Sequence, residues 1–69
     1  MFNRQQFAED LFMFRNSKGI SRASAAKEIG LNSATMQGLE GGIYNPQLAN
    51  YRKVCKWLGK DMEYYFIKD

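Results

Sequence analysis

Apolar side chains recur early in the chain at Phe7, Leu11 and Phe14, spaced i, i+4 and i+7, the repeat of one helical face. This spacing predicts a helix over residues 4–17, with Asn3 as its cap, Gln6 reaching back in a capping box, and Gly19 ending it. Ser21 stands where an N-cap belongs before a second helix, Arg22–Ile29, whose inner face is Ala25, Ala26 and Ile29. Gly30 can take the left-handed conformation that stops this helix and turns the chain sharply. Asn32 then caps a third helix, Ser33–Glu40, with Met36 and Leu39 inward and Leu31 plugging the angle between the two. Gly41 and Gly42 close it. The pair Asn45–Pro46 reads as the start of a fourth helix running to Leu58, with Leu48, Tyr51, Val54, Cys55 and Leu58 on one face and Gly59 as its stop. Asp61 is placed to cap a short fifth helix carrying Met62 and Phe66 inward. No strand alternation competes with these patterns before the last few residues. The expectation is an all-α fold, one compact domain over residues 1–69 with five helices, each too short to stand without a shared core.

The inner positions leave Ser33, Ala34, Gln37 and Gly38 facing outward on the third helix, small and uncharged, a surface suited to a groove of DNA. Charge sharpens this picture. The chain carries a net +3, but residues 32–46 hold only Glu40, while residues 1–31 and 47–69 each hold five basic and three acidic side chains. Attraction for phosphate must therefore come from the elements around the third helix. Lys18, Arg22 and Lys27 cluster about the second helix and are the candidates, Arg22 first; Lys53 and Lys56 are expected to face water.

The remaining composition mostly excludes. There is no histidine, and the single Cys55 falls on an inward helical face as a small hydrophobe, so no metal-ligand spacing and no nucleophile–base pair is present. No enzyme activity and no cofactor are expected. One cysteine also gives no internal disulfide and fits a reducing compartment. No apolar run approaches the ~18 residues of a membrane span, and the N-terminal stretch lacks the order of a secretion signal, so a cytoplasmic protein is expected.

From Leu11 to Phe66 the chain resembles the Cro/repressor-type (XRE-like) helix-turn-helix family of phage and bacterial transcriptional regulators. The carrying residues are LFMFR before Gly19, SRASAAKEIGLNSATMQGLEGG, then Asn45–Pro46 and VCKWLGKDMEYYF. The resemblance implies a lambda-repressor-like five-helix domain with a helix-turn-helix at helices 2 and 3, binding near-palindromic operators in double-stranded DNA as a homodimer. It implies base reading by Asn32, Ser33, Ala34, Gln37 and Gly38, with Gln37 able to pair bidentately with adenine and Ala34 to pack on a thymine methyl. Phosphate contacts fall on Arg22 and, in the loop after the third helix, on Tyr44, Asn45 and Gln47. Arg15 and Glu40 match an ion pair between the first and third helices.

Three departures from the family pattern stand out. The loop is neutral where it is often basic, Ala25 stands where leucine is usual, and Gly38 interrupts the recognition helix, either to admit the DNA backbone or to relieve crowding. Phe12 and Met13 fall off the first helical stripe, so they are covered by the chain termini or belong to a dimer seam. Trp57, Tyr65 and Ile67 exceed what so small a core hides and are expected to join that seam. Two other readings stay open: an antitoxin or restriction-modification controller of the same fold, and a protein-interaction module such as an antirepressor.

Overall fold

The computed structural model describes residues 1–66 and is all-helical. Among the described residues there are four helices, α1 (Arg4–Ser17), α2 (Arg22–Ile29), α3 (Ser33–Glu40) and α4 (Leu48–Leu58), and no strand beyond one isolated antiparallel bridge between Phe2 and Phe66. α2 packs on α3, α1 against α3 and α4, and α4 also against α2. No helix is long and apolar enough to cross a membrane.

The first three helices begin where their caps direct. The side chains of Asn3, Ser21 and Asn32 accept from the backbone N–H groups of Gln6, Ser24 and Thr35, each satisfying a donor that a helix start leaves open. Gly30 ends α2 at φ 97°, a conformation that needs no Cβ, and its N–H returns to the Ala26 carbonyl. Gln6 does not complete a capping box: its side-chain amide donates to Asp10 at 2.8 Å, one turn further on.

The core is Phe7, Leu11, Ala25, Ala26, Ile29, Met36, Leu39, Tyr51, Val54, Cys55, Leu58 and Tyr65. Two expectations for the second half of the chain are corrected. α4 starts at Leu48 with Gln47 as its cap and no side-chain cap bond, and Leu48 is 74% exposed. Leu48 lies on the apolar stripe by period, but that stripe runs past the edge of the core, where Leu48 instead lines an open groove with Phe2, Pro46 and Phe66.

The expected fifth helix is absent from the described residues. Met62–Tyr65 forms successive turns, with the Tyr64 and Phe66 N–H groups donating to the Asp61 and Glu63 carbonyls. A segment this short cannot recover the cost of helix nucleation. The change in backbone swaps the inward residue: Tyr65 is buried and Phe66 is half exposed. Tyr65 is fixed from three sides, by its ring against Phe7 at 5.2 Å, by its hydroxyl donating to Asp10 at 2.8 Å, and by its carbonyl accepting from the Asn3 N–H at 2.6 Å.

Candidate nucleic-acid interface

α3 exposes Asn32, Ser33, Ala34 and Gln37 together on its outer side, as their spacing predicts. Asn32 also caps the helix through Oδ1, which leaves its amide nitrogen as the free end of that side chain. Of the two reasons left open for Gly38, the packing fits the relief of crowding and not a base-facing position. It is buried, and a Cβ built on it would lie 2.4 Å from the Tyr44 ring. The chain after α3 folds back so that this ring covers Gly38, and its hydroxyl donates to the Thr35 carbonyl at 3.4 Å. Glycine at 38 thus makes room for Tyr44, and no surface is left there for a DNA backbone to approach.

The segment around Tyr44 builds a polar groove beside the start of α3, lined by Asn32, Thr35, Tyr44, Asn45, Gln47 and Asn50. Four of these six were singled out by the sequence. Thr35 and Asn50 were not, although Asn50 follows Gln47 by three residues and so shares one side of the first turn of α4. Every lining side chain is an amide or hydroxyl, so the groove offers hydrogen bonds of both senses and no charge.

Charge enters at the other end of α3. The Glu40 carboxylate is almost fully buried and accepts two bonds from Arg15, Nε at 2.7 Å and Nη2 at 3.0 Å, while the third arginine nitrogen donates to the Ile20 carbonyl. Burial lowers the Arg15 pKa only partly against this hydrogen bond, and the net effect is upward. Arg22 adds a third bond to Glu40 from Nε at 3.2 Å, yet its side chain stays 45% exposed. Two cations on one carboxylate leave the cluster net positive, with the surplus on the exposed Arg22. The contact also answers a local problem, since Arg22 is the first residue of α2 and a cation there opposes the helix dipole.

The other predicted cations, Lys18 and Lys27, are both exposed, and the Lys18 ammonium also sits over the Phe14 and Trp57 rings at 5.5 and 5.8 Å. Lys53 and Lys56 are both exposed, as expected; the Lys53 ammonium also donates to the Gly30 carbonyl at 3.3 Å, a cation at the C-terminal end of α2.

The residues expected at a dimer seam fall in different places in the single chain. Phe12 and Met13 are exposed, at 47% and 66%. Tyr65 is core, for the reason given above. Trp57 is half-buried, edge-on to Phe14 at 5.0 Å with its indole N–H donating to Glu28 at 3.1 Å. Ile67 lies outside the described residues. Exposed apolar side chains that the sequence placed elsewhere are Leu48 and Phe66, joined by Ile43 and Tyr64.

Among the described residues no cluster of histidine, cysteine, aspartate or glutamate is arranged to hold a metal ion. Cys55 is buried and free, and burial pushes its thiol pKa upward. Comparison of the chain with protein-family models, with curated proteins and with solved structures returned no match, so the likeness to helix-turn-helix regulators rests on the residues alone.

Proposed function

We propose that this protein is a sequence-specific DNA-binding transcriptional regulator of the Cro/repressor type, with α2 and α3 forming its helix-turn-helix and α3 entering the major groove of an operator. The observation that carries the reading is the outer side of α3. Four small or amide-bearing side chains, Asn32, Ser33, Ala34 and Gln37, are exposed together on a short helix braced against α2 and α1. Such a face is chemically poor for protein association, which favours aromatic and long apolar anchors, and well matched to base edges. Arg22 and Lys27 supply exposed positive charge on α2. In a homodimer two copies of α3 would lie about 34 Å apart, one turn of DNA.

The test is binding to duplex DNA at two salt concentrations, with the chain's own upstream region and random duplex as probes. Affinity should fall steeply with salt. Gln37→Ala should weaken binding to the preferred duplex by ~1–3 kcal/mol and relax one position in each half-site. Stability should change by no more than ~0.5 kcal/mol, because Gln37 is exposed. Absence of any duplex binding at low salt rejects the proposal and turns attention to the exposed apolar residues Leu48, Ile43 and Phe66 as a protein-interaction surface. Sedimentation with and without DNA reports the dimer.

A further inference from the structure

We infer that Tyr44 takes the place of the side chain missing at Gly38 and reads a base, its ring packing on a thymine methyl group in the major groove. The inference rests on the DNA-binding reading and changes one assignment within it, since the position of Tyr44 after α3 otherwise suggests a phosphate contact.

Three observations carry it. First, the ring occupies the volume a side chain at 38 would fill: Cε2, Cζ and Oη all lie within 2.5 Å of where a Cβ would stand. Gly38 is one turn after Ala34 and adjacent to Gln37, so the ring extends the same outer side of α3 that those residues form. Second, the ring is held against the helix. Its hydroxyl donates to the Thr35 carbonyl, and the Ile43 N–H just before it donates to the Gly38 carbonyl at 3.0 Å. Third, Tyr44 remains 43% exposed after all this packing. Its hydroxyl proton is engaged by the Thr35 carbonyl, so the further contact a half-exposed phenol ring can offer is aromatic carbon, and the apolar feature of the major groove is the thymine methyl.

Duplexes selected from a random pool by the intact protein supply the test, repeated with Tyr44→Ala, Gly38→Ala and the double variant, each shown folded by circular dichroism. Tyr44→Ala should lose a thymine preference at one position per half-site while keeping the position read by Gln37. Gly38→Ala should lose the same preference, because the new methyl displaces the ring, while the helix itself is favoured by alanine. The double variant should then be no worse than either single one. Replacing that thymine by deoxyuridine removes only the methyl; it should cost the native protein about fourfold in affinity and the Tyr44→Ala protein nothing.

A uniform loss of affinity in Tyr44→Ala with an unchanged motif overturns the inference and returns Tyr44 to the phosphates. Equal sensitivity of both proteins to deoxyuridine overturns it as well. Failure of the native protein to select any motif is a different result, and rejects the DNA-binding reading itself.

Discussion

Two regions of the molecule, termed its α3 end and its aromatic end, are built on different principles. At one end α2 and α3 are joined by three residues, and their caps, turn and inward residues all lie within twenty positions of one another. At the other end Phe2, Phe7, Tyr51, Tyr65 and Phe66 meet from both termini and from α4, in ring contacts of 5.2 to 6.0 Å. The first end is small, polar and locally specified; the second is aromatic and assembled across the whole chain. Local elements can present a surface, but a chain of this size needs long-range burial to hold them in place. The contrast assigns stability chiefly to the aromatic end and, on the function proposed above, recognition to the α3 end.

Substitutions separate the two roles, and the largest effect should come from Tyr65. Tyr65→Ala removes a buried ring and should cost ~3–5 kcal/mol in denaturant unfolding, enough to threaten folding in so short a chain. A loss below ~1 kcal/mol would mean that the C-terminal turn only decorates the fold. Arg15→Leu should follow, at about 3 kcal/mol, because it strips the principal partner from a buried carboxylate while Arg22 remains as a partial substitute. This variant tests the contrast from the other side, since it would show one polar contact of α3 contributing as much as an aromatic ring. Tyr65→Phe, which keeps the ring and deletes only the donor to Asp10, should cost about 1–2 kcal/mol. The smallest effect on stability is expected for Arg22→Ala, at ~0.5 kcal/mol, given the exposure of that side chain. On the function proposed above, its consequence should instead be a shallower salt dependence of duplex binding.

Alkaline pH should discriminate between the ends without mutation. Burial pushes the Tyr51 and Tyr65 phenols upward, helped at Tyr65 by the hydrogen bond to Asp10. Both stay protonated in the folded state, whereas in the unfolded chain they ionise near pH 10. Their contribution to stability is therefore complete below about pH 10 and is lost as pH rises beyond it. Helix content and tyrosinate absorbance should change together in an alkaline titration. Ionisation of Tyr51 and Tyr65 with full retention of helix would show that the aromatic end opens independently of the rest.

The sequence by itself determined the elements whose signals are local. The bounds of α1, α2 and α3 follow from Asn3, Ser21, Asn32 and the left-handed Gly30, and the exposed row on α3 follows from helical period. The pairing of Arg15 with Glu40 was legible only through the resemblance, because nothing in their spacing of 25 positions reveals it. Tertiary structure decided the remainder. Whether a residue on an apolar stripe is covered depends on where its partner element ends, which is why Leu48 is exposed. Which of two neighbouring aromatics turns inward depends on backbone form, so that Tyr65 is buried and Phe66 is half exposed. Gly38 was visible as an anomaly, but its cause is a ring six residues further on, brought back by a turn. Period and capping act over three or four residues, whereas burial is a property of the assembled chain.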